Sequence, residues 1–415
     1  IHSLMDDANK IIRAGLDAAR PENYFSKYLL ANRLVCSGKT YQISDYQKIW
    51  IIAIGKAADS MSHYVQKILR AQGGVIVLPR GSKSEFSNKK FQIIYSTHPL
   101  PSLKSVFAAK KITSFLEKTG KDDLVVFLIS GGASSLVSLP AGITLNQKIK
   151  TSQMLLKSGA SISEINAIRK HLSDIKGGKL LASLCCDAVS FVLSDVTGND
   201  LSAIASGMTF CDKTSFSDCL KIISKYNLGK KLPSQVISRL AAGAKGRISE
   251  TPKKPKIPNQ IIASNLNCLD AMALKAKSLG YSVAKYPELT GDVILASKKL
   301  LGKFQSLKKQ CLVFGGEVTV RVSGNGKGGR NQELVLRIIP KLPPHTIVAS
   351  LGTDGIDGNT KYAGAIFEHR VDPSIAKKYL EKNDSNSFFK KYGGLVKTGP
   401  THTNLQDIGL LLQQL

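Results

Sequence analysis

Several short segments of this 415-residue chain carry side chains suited to handling an anionic ligand. In Ser130-Gly131-Gly132-Ala133-Ser134-Ser135 two glycines would let the backbone come close to a phosphate, and a helix start behind them would supply unpaired N–H donors. A tight strand-to-helix turn that needs small residues fits the same letters equally well. Gly55-Lys56-Ala57-Ala58 places a lysine at an expected helix start, where the helix dipole disfavours a cation. A bound anion would resolve that conflict, and so would a lysine that swings into solvent.

The stretch 158–184 is denser in such groups. Ser161 and Glu164 form a capping box, and Ile162, Ile165, Ile168, Leu172 and Ile175 make an apolar stripe. Asn166, Arg169, Lys170 and Ser173 fall on another side, and Lys176-Gly177-Gly178-Lys179 ends the helix. These cations form either a solvated basic face or an anion site. Asp195, in Ser194–Asp200, and Asp354, in Leu351–Gly358, follow apolar strands. A carboxylate there suits magnesium, which takes oxygen ligands and few of them from protein; an Asx-turn or helix cap suits aspartate as well. The second loop lacks the ligand spacing and closing glutamate of an EF-hand.

Gly324, Gly326 and Gly329 match the dinucleotide-binding pattern GxGxxG ahead of a helical run from Asn331 to Ile339. Such a loop binds pyrophosphate through backbone and dipole, whereas this one inserts Lys327 and Arg330 and lies far from the first βαβ unit. Two cations suit a phosphate that must be held and neutralised during transfer. A Walker A loop is absent, because Arg33 stands where Gly38-Lys39-Thr40 would need its first glycine.

The elements that must position these residues follow one grammar: apolar strand, small polar loop, helix. Strands are expected at Ile49–Ile54, Gly74–Leu78, Phe91–Tyr95, Leu124–Ile129 and Ala188–Leu193, and later at Ile261–Ala263, Cys311–Phe314 and Thr346–Leu351. Strands apolar on both faces and separated by helical lengths imply an α/β protein with a mostly parallel, doubly covered sheet. The length implies two domains, and the Pro- and Lys-rich stretch Gly243–Gln260 marks the boundary, giving domains over 1–245 and 261–415 with a linker at 246–260.

Composition narrows the function classes. A hydrophobic share of 43% and a charged share of 21% describe a chain with a full core. No apolar run is long enough to span a bilayer and no signal-peptide layout opens the chain, so a cytoplasmic protein is expected. The seven cysteines show neither CxxC pairs nor zinc spacing and read as reduced structural thiols. The net charge of +28 comes from lysines scattered in pairs such as Lys110-Lys111, Lys230-Lys231, Lys308-Lys309 and Lys390-Lys391. They are not gathered into a block interleaved with aromatics, so small anions are expected as partners rather than nucleic acid or membrane.

Taken in order, these segments resemble the glycerate 2-kinase (MOFRL-type) family. The resemblance rests on Gly55-Lys56-Ala57-Ala58, His98-Pro99-Leu100-Pro101, Ser130-Gly131-Gly132, the run from Ser158 to Gly178, and Ser194-Asp195-Val196. It continues through Gly315-Gly316-Glu317, Gly328 to Glu333, Thr353 to Gly358 and Gly399-Pro400-Thr401. It implies a Rossmann-like N-terminal domain, a smaller α/β C-terminal domain and an active site in the cleft between them. It also implies direct transfer from Mg2+-bound ATP to the 2-hydroxyl of D-glycerate, with Lys56 and Arg330 as catalytic cations and Asp195 and Asp354 as metal ligands. On that basis Ser130 to Ser135, Lys327 and Gly329 are expected to bind nucleotide or phosphate, and Asn166, Arg169, Lys170 and Glu317 to bind substrate. The expected assembly is a monomer or homodimer. Asn199, Met208 and His402 depart from the usual family pattern. The alternative activity, prompted by GxGxxG, is an NAD(P)-dependent hydroxypyruvate reductase.

Overall fold

The computed structural model describes every residue except 1–2, 85, 87–88, 305–308, 400, 402 and 415, and at 197 the backbone only. Lys308, Pro400 and His402, quoted above, therefore lie outside the described residues. The chain divides into two compact units, Phe25–Ile262 and Ile1–Tyr24 together with Ala263–Leu415.

The sheet of the first unit contains β1 (Lys48–Ile54), β2 (Gly73–Pro79), β3 (Phe91–Ser96), β4 (Asp123–Ile129), β5 (Asp187–Ser194) and β6 (Asn259–Ser264). Their spatial order is β3-β2-β1-β4-β5-β6. All four pairings from β3 to β5 are parallel. The reason is visible in the letters: Asp123–Ile129 is buried at every position, which only a sheet covered on both faces allows. Ile52, Val75, Val125 and Phe127 meet Ala108, Ile112 and Leu116 of a covering helix in one core cluster. The chain leaves β1 to lay down β2 and β3 on one side and returns to place β4 on the other. The strand order thus reverses between β1 and β4, the place where doubly wound sheets of Rossmann type open a crevice at their carboxyl ends.

Helices α2 (Ala58–Leu69), α3 (Leu145–Lys157) and α4 (Ile162–His171) carry or flank the segments of interest. The α4 capping box forms as expected, with Ser161 Oγ accepting from the Glu164 N–H and Glu164 accepting from the Ser161 N–H. Leu155, Ile165 and Ile168 seat α3 and α4 on a second cluster with Phe216 and Leu240.

Two boundary expectations are corrected. Residues 246–260 are part of the first unit rather than a linker. Thr251 donates to Asp212, Lys256 donates to the carbonyls of Leu181 and Leu184, and the Ser190 N–H donates to the Pro258 carbonyl. In this stretch of linker-like composition, Lys256 donates to carbonyls of the same body and the Pro252 and Pro258 carbonyls accept from its N–H groups. The amphipathic helix α1 (Leu4–Ala18), assigned above to the N-terminal domain, belongs instead to the second unit. It lies on α5 (Asn265–Ser278), where a Cβ at Gly15 would stand 2.7 Å from Met272 Cγ, and Tyr281 donates to Asp7.

The second unit holds β7 (Ser282–Asp292), β8 (Lys309–Thr319), β9 (Thr346–Gly352), β10 (Gly364–Phe367), β11 (Leu395–Val396) and β12 (Asp407–Gln414), in the order β7-β8-β12-β9-β10-β11. Only β7 and β8 run parallel; β12 sits antiparallel between β8 and β9. Helix α6 (Arg330–Ile338) packs Leu334, Val335 and Leu336 into its core.

One position tests the switch point directly. Gly55 has φ of +133°, and a Cβ there would stand 2.1 Å from Ser130 Oγ and 2.6 Å from the Ser130 carbonyl oxygen. Gly55→Ala is therefore expected to destabilise the protein by about 2–4 kcal/mol, strain and overlap together. Urea denaturation of the variant beside the parent protein measures this, and an unchanged midpoint would contradict the described contact.

Candidate functional site

The loops after β1 and β4 are fastened to one another by backbone. The Lys56 N–H donates to the Gly131 carbonyl at 2.9 Å, the Ala57 N–H to Ser130 Oγ at 3.1 Å, and the Ser130 N–H to the Ile54 carbonyl at 3.0 Å. Ser130 is buried, and its hydroxyl braces the two loops by accepting from the Ala57 N–H. The Ala133 methyl is also buried, in the core behind the turn, so only its main chain could face a ligand.

The glycines of the turn make room for functional side chains. A Cβ at Gly131 would come within 2.5 Å of Asp195 Oδ2, and one at Gly132 within 3.0 Å of His98 Cδ2 and 3.6 Å of Lys56 Cγ. Gly131 thus admits the Asp195 carboxylate against the turn, while Gly132 lets Lys56 and His98 pass close by. Lys56 is exposed and its ammonium is held by no ion pair among the described residues.

A cavity of about 340 Å³ opens beside this turn. Gly131, Gly132, Ser134, Ser135 and Asp195 line it from the sheet end, and Asn166 and Arg169 of α4 line it as well. Two further cations in its lining were not anticipated as site residues, Lys148 of α3 and Lys176. Lys148 Nζ donates to Ser138 Oγ at 3.2 Å, Lys176 Nζ to the Ser134 carbonyl at 2.8 Å, and Arg169 Nε to Ser152 Oγ at 3.3 Å. Asn166 Oδ1 accepts from Ser206 Oγ. Lys148 stands among Asn146, Gln147 and Lys150 on a polar helix, so no local signal marks it. Lys176 was legible only as part of a helix end.

Lys170 is not in this cavity. It is 3% exposed and its Nζ meets Asp212 Oδ1 at 3.3 Å. One residue along a helix turns the side chain by about 100°; with Arg169 facing the cavity, Lys170 is directed into the protein body. The expected substrate contact is corrected to a buried ion pair.

Burial acts strongly on the cavity cations. It drives the Lys148 pKa down to about 7, with Lys179 and Arg169 adding to the effect and Asp174 opposing it. Burial also lowers Lys176 well below the ordinary lysine range, reinforced by Lys148 and Arg169, and it lowers Arg169. An anion in the cavity would favour the charged form of all three.

In the second unit, Arg330 Nε and Nη2 donate to the two oxygens of Asp407, the latter at 3.0 Å, and Nη1 donates to Glu317. Burial works against the Arg330 charge, yet Asp407 and Glu317 together lift its pKa above the usual range. Burial raises Asp407 to about 6 against the pull of Arg330. Gly315 leaves space for Asn265, whose amide donates to the carbonyls of Leu405 and Asp407 and so fixes the Asp407 backbone.

The GxGxxG loop departs from its expected use. The first N–H groups of α6, at Asn331 and Gln332, both donate to Asp357 at 2.9 Å, and a Cβ at Gly329 would stand 2.3 Å from that carboxylate. Gly329 therefore admits Asp357 rather than a phosphate. Lys327 is exposed, with its N–H on Asp384. Asp354 accepts from the Ile356 N–H at 3.0 Å, forming the Asx-turn that was its alternative reading. Among the described residues no group of three or more His, Cys, Asp or Glu is gathered as a metal cluster.

The Lys148 shift predicts a pH dependence. Between about pH 7 and the ordinary value of 10.5, the unfolded chain binds a proton that folded Lys148 has released. The unfolded state then holds more protons, so Lys148 contributes increasing stability as pH rises through that window and none of this gain below it. Urea denaturation at pH 6.5 and 9.5 is expected to show a smaller gain on raising pH in Lys148→Met than in the parent protein. Equal gains would contradict it.

Comparison with known proteins agrees with this architecture. Residues 7–241 match the family described as "Domain of unknown function (DUF4147)", and residues 310–407 match the MOFRL family. The chain is 36% identical over 397 residues to glycerate 2-kinase of Pyrococcus horikoshii, covering 91% of this chain and 89% of that protein. It is 36% identical over 393 residues to D-glycerate 2-kinase of Thermotoga maritima, covering 88% and 91%. The crystal structure of glycerate kinase from Thermotoga maritima superimposes with a TM-score of 0.82 at 32% identity, over 99% of each chain. With matches along nearly its whole length in both sequence and fold, the chain belongs to the glycerate kinase family.

Proposed function

We propose that the protein is an ATP-dependent glycerate 2-kinase that phosphorylates the 2-hydroxyl of D-glycerate. The observation that carries this reading is the cation-lined cavity at the β1–β4 switch point, beside a glycine turn and an exposed lysine, in a chain of the glycerate kinase family. Phosphoryl transfer calls for positioning and charge neutralisation more than for covalent help, and these groups supply both.

In this reading the Gly131-Gly132 turn accommodates phosphate oxygens, and Lys56, anchored by its own N–H on Gly131, presents its ammonium to the transferred group. Asn166 and Arg169 hold the acid substrate. Arg330 is the second catalytic cation: three of its five N–H donors are engaged by Asp407 and Glu317 among the described residues, and two remain for a ligand. Asp195 offers a hard oxygen donor of the type magnesium takes, and that ion, bound with the nucleotide, would offset phosphate charge. The reading also has small molecules as partners, a cytoplasmic location and a monomer or homodimer; no helix among the described residues is long and apolar enough to cross a membrane.

The reductase alternative is weaker, because the glycine loop that prompted it is used otherwise. The helix end that would receive a pyrophosphate already receives the Asp357 carboxylate.

A coupled assay with ATP, magnesium and D-glycerate, resolving 2- from 3-phosphoglycerate, is expected to yield 2-phosphoglycerate. Lys56→Ala should lower kcat some hundreds-fold, corresponding to about 2.7–4 kcal/mol for one lost electrostatic contact. Its melting temperature should stay near the parent value, because Lys56 is held through its backbone N–H on Gly131 and its ammonium makes no ion pair among the described residues. Arg330→Gln should lower both kcat and melting temperature, since it leaves Asp407 buried without its cation. Nicotinamide oxidation with hydroxypyruvate, and no ATP turnover with hydroxy acids, would overturn the kinase reading.

A further inference from the structure

Three cations that reach one cavity come from three neighbouring segments: Lys148 from α3, Arg169 from α4, and Lys176 from the turn beyond α4. Two of them are nearly sealed from solvent, Lys148 at 5% and Lys176 at 2% exposure. Their hydrogen-bond partners are neutral oxygens, a serine hydroxyl and a backbone carbonyl. Among the described residues none of the three has a carboxylate at ion-pair distance.

Taking an ammonium out of water without a counter-charge costs several kcal/mol. The same region shows how a buried lysine is handled when its role is structural: Lys170, adjacent to Arg169 in sequence, is given Asp212. Lys148 and Lys176 are given no such partner, and both face a cavity open to ligand. Among the described residues, no carboxylate supplies the missing negative charge.

The geometry points to an oxyanion subsite built by Lys148, Arg169 and Lys176, whose occupant is the carboxylate of the hydroxy acid. This assignment rests on the kinase reading and adds Lys148 and Lys176 to the substrate-binding groups. A carboxylate fits better than the nucleotide phosphates for an electrostatic reason. Nucleotide phosphates are commonly bound with a divalent cation, and three clustered cations repel such an ion. A carboxylate arrives bare, carries one charge and accepts several hydrogen bonds at its two oxygens. The Gly131 turn with Asp195 against it is the part of the same cavity suited to phosphate and metal. The subsite would also explain selectivity for an acid over a neutral polyol of the same size, because glycerol brings no negative charge to hold these buried lysines in their charged form.

Lys148→Met and Lys176→Met test this, since methionine fills similar space without charge. In the coupled assay each is expected to raise KM for D-glycerate at least about tenfold, as for loss of one charged hydrogen bond, while KM for ATP stays within about twofold. Calorimetric titration with D-glycerate, in the absence of ATP, should show the same weakening, and glycerol should bind neither parent nor variants. Melting temperatures of the unliganded variants should equal or exceed the parent's, because an uncompensated buried charge has been removed. An unchanged KM for D-glycerate, or a rise confined to KM for ATP, would overturn the carboxylate assignment while leaving the kinase standing. Tight D-glycerate binding that weakens in the variants, with no phosphoryl transfer by the parent protein, would leave the subsite standing and remove the kinase. Parent protein that neither binds nor phosphorylates D-glycerate would remove both.

Discussion

The backbone lock between the loops after β1 and β4 is the contact on which the site depends. Two adjacent parallel strands end side by side, so their loops must either diverge or share space. Here they share it: Gly55 presses onto Ser130, and the next two N–H groups donate across to the Gly131 carbonyl and the Ser130 hydroxyl. Any side chain at 55 would separate the loops. With the lock closed, Lys56 is held at its main chain and free only along its side chain, and the glycine turn is pinned next to Asp195. The anchor fixes where the side chain starts, and the ammonium still ranges over the reach of its flexible stem until a ligand holds it.

The second unit solves a related problem by a different route. Arg330 is oriented through its guanidinium, by a two-point contact with Asp407, and Asp407 is itself set by the Asn265 amide on its backbone. Lys56 has one rotatable charge and a rigid backbone anchor; Arg330 has a planar charge and a side-chain anchor. The difference follows from chemistry, since a guanidinium offers a fixed fork for a carboxylate and an ammonium does not. The consequence is that Arg330 is tied to the stability of its own unit through the buried Asp407, whereas the Lys56 ammonium makes no ion pair among the described residues.

Much of the fold was legible because it rests on local pattern. The apolar runs from Ile49 to Leu193 became strands within a residue or so of their expected ends; four of the five are buried along almost their whole length and so must be apolar, whereas the edge strand Phe91–Ser96 exposes Gln92 and Tyr95. The α4 capping box formed because its partners lie three residues apart. What failed required knowing which body a segment would join. Helix α1 has an apolar face that fits α5, more than 240 residues later, and no local feature announces that. Residues 246–260 look like a linker because lysine and proline do, yet Lys256 serves carbonyls 72 and 75 residues away. The GxGxxG match was literal, but glycine spacing cannot reveal that Asp357 fills the space. Of the side chains that line the cavity, Asn166 and Arg169 stood out in the sequence and Lys148 did not, because a lysine on an exposed-looking helix reads as solvated until its burial is seen.

The chain's basic excess and its buried cations answer to different physics. Scattered surface lysines create a broad positive potential that draws anions toward the protein, and mobile salt screens it over about 8–10 Å. That field raises encounter rates and discriminates poorly, since nucleotide, glycerate and inorganic phosphate all respond to it. Lys148 and Lys176 lie where water and salt hardly reach, so their interaction with a bound anion is short-ranged, weakly screened and sensitive to shape. Selectivity must come from the second group. The same burial that makes these lysines discriminating also makes them costly in the unliganded protein, which follows when a site is built around a charge that only its substrate provides.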